Sequence, residues 1–210
     1  MTRDQIAARL QANLQDLGVF YETADLNDSI QDGYSEIVSL TGCIFKAARV
    51  AQVSNLTYYD MAAYIPDFWA VTAIWNTNTK RWLTPTNIKL LDDLRNDWEL
   101  ANGNPFLFWP VNFRFVAFYP KLATASGYFY IFYRAQADTL SASTIPNIPE
   151  DLQGILEDYS TCDLLEQAEE FTKAKLQFTE YVKGIRALKQ ATRSFRLPDL
   201  STGLANAFMG

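Results

Sequence analysis

The sequence predicts an α+β protein: a helical bundle of two N-terminal and two C-terminal helices, with an inserted, mainly antiparallel β module and an extended C-terminal tail. Three observations predict this architecture. Apolar residues recur at helical spacing in both ends of the chain, the middle is rich in β-branched and aromatic residues, and the last twenty residues interrupt helical spacing with proline and glycine. With 210 residues, 49% of them hydrophobic, the chain can bury a sizeable core.

Residues 1–48 are predicted to form the two N-terminal helices. Thr2 is a suitable N-cap for the first helix, and Gly18 is placed to end it. The second helix is expected from about Leu26. The apolar positions that define the two helices are Ile6, Leu10, Leu14 and Leu17, then Leu26, Ile30, Tyr34, Ile37 and Val38.

The second helix carries three further signals. Asp25 or Thr23 is expected to cap it, and Gly42 marks its end, although a continuation from Phe45 to Ala48 stays open. Gly33 lies within it and weakens a helix by about 1 kcal/mol relative to alanine. Close packing or tertiary support at Gly33 must therefore compensate.

Residues 49–140 are predicted to form the β module. The expected strands are Val50 to Tyr58, Phe68 to Trp75, Lys80 to Leu83, Phe106 to Trp109, Asn112 to Tyr119 and Tyr128 to Arg134. Asn76 to Thr79 is typical of a hairpin turn, and Pro85 to Arg95 has the spacing of a short inserted helix. Prolines punctuate the strands, as they do at strand ends and sheet edges.

Residues 141–190 are predicted to form the two C-terminal helices. Pro149 suits a first helical turn, with Glu150 and Asp151 placed favourably for the helix dipole. Ser160 and Thr161 separate this helix from a second one, which would span roughly 35 Å at ~1.5 Å per residue. Both halves of a bundle must meet to bury their apolar faces, so we expect the N-terminal pair to pack on the C-terminal pair; two separate sequential domains are the alternative.

The tail, residues 191–210, has a different composition from the helices before it. Two cations, four apolar anchors and a proline make it a candidate docking segment: Arg193, Arg196, Leu197, Pro198, Leu200, Leu204 and Phe208. Pro198 and Gly203 prevent one long helix. The segment either packs back on its own domain or docks on a partner, as extended apolar termini do when they fill a groove or extend a sheet.

Several functional classes are excluded or disfavoured by composition. The chain has no histidine, which removes histidine relays, histidine metal sites and Ser-His or Cys-His nucleophiles. Cys43 and Cys162 form no CxxC motif, and the acidic run near Asp92 lacks the glycine and spacing of a calcium loop. We expect no catalytic, cofactor or metal site. A net charge of −6 disfavours nucleic acid as the primary ligand, and no apolar run approaches the ~18 residues of a membrane span.

The order of several short patterns resembles the head-to-tail adaptor (connector) proteins of tailed bacteriophages, of the type found below the portal in short-tailed phages. The resemblance covers most of the chain, and each pattern is loose by itself. The patterns are the opening helix pair, Arg3 to Leu17 and Leu26 to Thr41; Tyr64 to Asp67; Trp98 with Gly103 to Pro105; Phe118 to Pro120 before a strand ending at Tyr133; and Ile148 to Leu152 with Tyr159 and Leu164 to Glu166.

The resemblance implies a structural virion protein in the neck of the particle, made in the host cytoplasm. It implies a homo-oligomeric ring of about twelve copies, bound to the portal protein on one side and to a tail tube or nozzle protein on the other. DNA would pass through the ring without specific binding, and the C-terminal segment would contact the portal.

Two other functional classes stay open at the level of sequence. A tail-associated carbohydrate- or receptor-binding module would present exposed tryptophans from the β module, although strand aromatics more often fill a core. An enzyme that uses only carboxylates would need a pair of Asp or Glu residues across a cleft, and no such pair stands out.

Overall fold

The computed structural model describes residues 1–14, 21–94 and 97–193. Within them the chain has mixed α+β architecture, with helices at both ends and antiparallel sheets between them. The α+β prediction is therefore confirmed. One buried apolar cluster runs continuously from the N-terminal helices through the sheets to the C-terminal helices.

The two N-terminal helices begin at side-chain caps. Helix α1 spans Arg3–Asn13, and Thr2 caps it in a reciprocal capping box with Gln5, as predicted for Thr2. Helix α2 spans Thr23–Thr41 and ends at Gly42, whose φ of 57° is left-handed. Its N-cap is Glu22, paired with Asp25, so the expected caps Thr23 and Asp25 were one to three residues late. The predicted positions Leu17 and Gly18 lie outside the described residues.

Within the described residues, ten strands and two α-helices follow. The strands are β1 Phe45–Ala51, β2 Tyr58–Asp60, β3 Phe68–Asn76, β4 Arg81–Trp82, β5 Thr84–Pro85, β6 Asn102–Gly103, β7 Leu107–Pro110, β8 Phe115–Tyr119, β9 Lys121–Leu122 and β10 Tyr128–Ala135. The four-residue helix α3, Met61–Tyr64, follows β2, and α4, Ile88–Leu94, lies in the predicted inserted helix. A 3-10 turn occupies Trp98–Leu100.

The start of the β region differs from the prediction. β1 begins at Phe45, so the helical continuation from Phe45 to Ala48 is wrong, and strand structure starts four residues before residue 49. The predicted strand Val50 to Tyr58 is also wrong, because β1 ends at Ala51 and β2 begins at Tyr58. The physical reason is local: Asn55 adopts a φ of 58°, which turns the chain between the two strands.

Two four-stranded sheets pack on each other. The first sheet has the antiparallel order β1-β10-β3-β4, and β3 and β4 form the predicted hairpin. The second has the order β2-β8-β7-β5, with only the β5–β7 pair parallel. Phe129 of the first sheet stacks on Phe118 of the second with ring centroids 4.4 Å apart, and Tyr59 packs edge-on against both rings.

The C-terminal helices are arranged differently from the prediction. A 3-10 turn at Glu150–Leu152 leads into α5, Gly154–Gln167, and α6 spans Phe171–Arg193. The expected break at Ser160 and Thr161 is wrong: Ser160 is buried inside α5. The break lies at Glu169, which has a φ of 61°. The backbone N–H of the next residue, Glu170, donates to the Leu165 carbonyl over 2.9 Å. This is a Schellman-type end in which a glutamate takes the usual glycine position.

Close contacts join the helices of the two ends. The ring of Tyr159 on α5 lies over Gly33 of α2, where a Cβ atom would come within 2.5 Å of it. Gly184 of α6 likewise allows close approach of Ile155 on α5, at 2.6 Å from a Cβ position. The Tyr181 hydroxyl of α6 donates to the Glu36 carboxylate of α2 over 2.7 Å. The close packing expected to compensate for Gly33 is therefore present.

Candidate docking surfaces

A groove of about 670 Å³ lies beside the C-terminal end of α6, and we call it the end groove. Its lining is largely apolar and comes from the last turns of α6, the start of β1 and the segment before α5. The lining residues are Met1, Cys43, Ile44, Phe45, Lys46, Ile145, Pro146, Asn147, Ile148, Pro149, Glu150, Gln153, Leu188, Ala191 and Thr192. Ile145 is exposed in it, with 59% of its surface accessible.

Hydrogen bonds fix the walls of the end groove. The Met1 ammonium donates to the Gln153 side chain over 2.6 Å, and the Gln153 amide donates to the Ile148 carbonyl over 3.2 Å. The backbone N–H of Arg3 donates to the Thr144 carbonyl over 3.1 Å. Because these bonds link the chain start to the segment before α5, the groove is held by contacts that are distant in sequence.

The predicted docking tail begins at this groove. Arg193 is exposed on the last turn of α6, next to the groove residues Ala191 and Thr192. The other six predicted docking residues lie outside the described residues: Arg196, Leu197, Pro198, Leu200, Leu204 and Phe208. The structure therefore shows where the tail starts.

A rigid hairpin tip presents apolar side chains between β7 and β8. The Asn112 carboxamide oxygen accepts N–H bonds of 2.8 Å from both Arg114 and Phe115, so β8 starts later than the predicted Asn112. The Arg114 guanidinium forms a two-point ion pair with Asp60, and its hydrogen bonds hold the pKa of Asp60 below its usual range. At this tip Phe113 is 75% exposed and Val111 47% exposed.

Exposed apolar side chains also occur on α6. Phe171, Leu176 and Phe178 are each more than half exposed. Phe171 and Phe178 are seven residues apart, so they lie on the same side of the helix. Phe178 packs on Tyr181 with ring centroids 6.0 Å apart, so this pair borders the side of α6 that buries Ala174, Tyr181, Ile185 and Leu188.

One side of the first sheet is lined with aromatic residues and arginines, and we call it the aromatic sheet face. Along β10, burial alternates, so that Phe129, Ile131 and Tyr133 enter the core while the residues between them are half-buried or exposed. The register of the sheet then defines the members of this face: Phe45, Ala47, Arg49, Ala51, Ala73, Trp75, Trp82, Tyr128, Tyr130, Phe132 and Arg134.

Ring and cation contacts order the aromatic sheet face. Trp82 packs on Trp75 with centroids 5.3 Å apart and on Phe132 with centroids 5.4 Å apart. The Arg49 guanidinium lies 4.2 Å from the centroid of the Tyr128 ring. Arginine in such a position gains a cation–π attraction and is held in place without a carboxylate partner.

The acidic side chains of α2 and α5 converge on another surface, the acidic helix face. Asp25, Asp28 and Asp32 follow at three- and four-residue spacing and are exposed on one side of α2. Tyr159 of α5 lies against Gly33, the neighbour of Asp32, and Asp163 follows Tyr159 by one helical turn, so the carboxylates of the two helices lie close together. Burial, followed by the negative charges of Glu36, Asp163 and Asp32, raises the pKa of Tyr159 to about 12.

The tryptophans are all within the described residues. Trp98 and Trp109 are buried with centroids 5.2 Å apart, where the 3-10 turn and α4 cover the second sheet. Trp69, Trp75 and Trp82 are half-buried. The Trp98 indole donates to Asp92 over 2.6 Å, which gives this carboxylate of the acidic run a structural partner. Among the described residues, no group of three or more acidic or cysteine side chains could hold a metal ion.

Comparison with known proteins adds no assignment. No protein-family model matches the sequence, and no curated protein matches it. No helix within the described parts of the chain is both long and apolar enough to cross a membrane.

The aromatic sheet face, the hairpin tip and the acidic helix face were not predicted as sites. Two signals in the sequence point to the aromatic sheet face and the acidic helix face. The strand from Tyr128 to Ala135 has no polar alternation, which indicates that both of its sides contact something apolar. The α2 and α5 sequences contain eight acids and no lysine or arginine.

Proposed function

We propose that this protein is a head-to-tail adaptor of a tailed bacteriophage, a structural virion protein of the neck. In this proposal about twelve copies form a ring that joins the portal protein to a tail tube or nozzle protein. The subunit is made in the host cytoplasm and functions in the particle. It acts through its surfaces and not as an enzyme.

The observation that carries the proposal is the presence of several exposed apolar surfaces on well-supported elements. Phe113 and Val111 project from the hairpin tip, and Phe171 and Phe178 project from α6. Exposed apolar groups that are held rigidly are typical of protein interfaces. A cyclic ring needs different patches on the two sides of each subunit, and surfaces on different elements meet that need.

We propose that the four long helices act as one bundle that carries the β module. Support comes from the glycine contacts of Gly33 with Tyr159 and of Gly184 with Ile155, which allow close helix approach. At ~1.5 Å per residue, the 23 residues of α6 span roughly 34 Å, enough to keep two docking ends well separated.

We assign the portal side of the subunit to the end of α6. The tail leaves α6 at Arg193 beside the end groove, and its four apolar anchors would dock on the portal. The hairpin tip of the β module would then face the tail tube or nozzle protein. The net charge of −6 supports DNA passage without specific binding, since like charges repel.

The packing of the tryptophans does not favour a carbohydrate-binding module. A sugar-stacking platform needs the flat face of an indole open to solvent, whereas Trp98 and Trp109 are buried and Trp75 packs on Trp82. Each carboxylate with a shifted pKa value is bonded to another side chain of the fold: Asp60 to Arg114, Asp67 to Lys46, and Asp158 to Gln177.

The proposal is tested by mixing the purified chain with the portal protein of the same phage and imaging the product by electron microscopy. We expect a ring of this chain on one face of the portal. The portal of an unrelated phage serves as the control and should stay bare. A chain that remains monomeric and ignores its portal at micromolar concentration would refute the adaptor function.

A further inference from the structure

Charge is separated between the first sheet and the helices. The strands of the first sheet contain four cations and no acid: Lys46, Arg49, Arg81 and Arg134. Helices α2 and α5 contain eight acids and no cation: Asp25, Asp28, Asp32, Glu36, Glu157, Asp158, Asp163 and Glu166. The net charge of the chain does not require this separation, because acids and bases could be interspersed on every element.

Most of these charges form no ion pair with another residue that the structure describes. Lys46 pairs with Asp67 and Glu157 with Arg9. Within the described parts of the chain, neither Arg49 nor Arg134 forms an ion pair, and the same holds for the carboxylates of Asp28, Asp32, Asp163 and Glu166. Unpaired charges of one sign on one surface create a field that attracts a surface of the opposite sign.

The aromatic sheet face has the composition of a protein interface. It combines Trp75, Trp82, Tyr128 and Phe132 with two arginines and has no lysine, aspartate or glutamate. Interface cores are enriched in Trp, Tyr, Phe and Arg and depleted of Lys, Asp and Glu. Tyr128 is 39% exposed and Arg49 is exposed, so the face is accessible.

We infer that the aromatic sheet face of one copy binds the acidic helix face of the next copy. The arginines Arg49 and Arg134 would meet Asp28, Asp32 and Asp163 of the neighbour, while the aromatic rings supply apolar contact area. The contact joins two different surfaces and is therefore heterologous, as a ring requires. The inference rests on the proposed function, for which it supplies the interface between subunits.

A second copy fits this face better than a nucleic acid does. Only two arginines lie on the face, whereas binding to a phosphate backbone relies on many cations. The eight acids of α2 and α5 would repel phosphates. On a second copy, the same acids are complementary in charge to the arginines of the aromatic sheet face. Charge complementarity of this kind sets the choice and orientation of the partner.

The experiment measures self-association of the full chain by sedimentation velocity. We expect association at roughly 0.05 M salt that weakens at roughly 0.5 M salt, because added ions screen the charges. Arg49→Glu and Asp32→Lys should each weaken association about tenfold or more. Arg186→Glu on α6 and Asp93→Lys on α4 make the same charge changes on exposed residues outside both faces and should leave association unchanged.

Mixing the two face variants provides the decisive measurement. An Arg49→Glu copy has a normal acidic helix face, which can bind the normal sheet face of an Asp32→Lys copy. At the other type of contact, the negative charge of Arg49→Glu meets the positive charge of Asp32→Lys, so these charges also attract. The equimolar mixture should therefore recover association that each variant alone lacks. Melting curves on each variant exclude unfolding as the reason for the loss, and recovery on mixing cannot come from unfolded chains.

Three results would overturn the inference. The first is a chain that stays monomeric at every concentration and salt, and the second is a pair of face variants that associate as the wild type does. The third is an oligonucleotide that binds the wild-type chain and whose binding is lost in Arg49→Glu. Rings that form on the portal despite both face variants would retain the adaptor function and place the subunit contact elsewhere. A bare portal would refute the adaptor function whatever the sedimentation result.

Discussion

Gly33 lies in the middle of α2, where alanine would ordinarily be favoured. A methyl group there would come within 2.5 Å of the Tyr159 ring, which packs across from α5. The ring cannot move aside freely, because it also contacts Tyr181 with centroids 5.4 Å apart. One missing side chain therefore sets how closely α2 and α5 approach each other.

We predict that Gly33→Ala destabilises the protein by up to about 2 kcal/mol. The gain of about 1 kcal/mol in helix propensity is outweighed by overpacking, which costs about 1 to 3 kcal/mol in a packed core. Urea unfolding measures the change. Gly154→Ala is the matched control, because nothing lies within 4 Å of its Cβ position at the start of α5. A more stable Gly33→Ala variant would show that the α2–α5 contact is loose.

Asp158 lies at the contact between α5 and α6, where its ionised carboxylate is disfavoured. Asp158 accepts a 2.5 Å hydrogen bond from the Gln177 amide. Burial raises its pKa, and the neighbouring charges of Glu157 and Glu180 raise it further. Because the folded-state pKa lies above the unfolded value, ionised Asp158 lowers stability at neutral pH, and stability is recovered as pH falls through that raised pKa.

We predict that Asp158→Asn raises the melting midpoint by roughly 1 to 2 °C at about pH 7. The amide keeps an acceptor for Gln177 but removes the repelled charge. The advantage should shrink on acidification, since the wild-type carboxyl then becomes protonated. Melting curves across the acidic range test this, with the exposed Asp93→Asn as control. An Asp158→Asn variant that is less stable at about pH 7 would contradict it.

Across the whole molecule, the buried core and the proposed docking tail are separable. The core cluster runs from Ile6 on α1 to Leu188 on α6. The predicted apolar anchors begin nine residues after Leu188 in the sequence, at Leu197. Folding stability and docking should therefore respond to different changes.

We predict that deleting residues 197–210 leaves the melting midpoint unchanged and abolishes binding to the portal protein. The apolar anchors would supply the docking contacts, so Leu200→Asp with Leu204→Asp should have the same effect in the full chain. Ser201→Asp, which adds one charge within the segment, serves as the control. A pull-down with the portal measures binding, and retention of the truncated chain would reject the role of the tail.

Local signals allowed much of the fold to be predicted. The Thr2 cap and the hairpin between β3 and β4 follow from nearby residues and were confirmed. The close packing expected at Gly33 was also confirmed, but it is supplied by the distant Tyr159. The break between α5 and α6 could not be predicted in the same way. A glutamate takes the left-handed position at Glu169, where a glycine is usual, while Ser160 stays helical because it is buried against other elements.

The sequence by itself determined the α+β class, the helical ends and the exclusion of histidine chemistry, because these depend on composition and on spacing along the chain. Only the tertiary structure decided which strands share a face and which helices combine their charges. The aromatic sheet face and the acidic helix face each collect residues far apart in sequence, such as Arg49 with Tyr128 and Asp32 with Asp163. Strand register and helix packing bring them together, and neither is encoded in any single stretch of the chain.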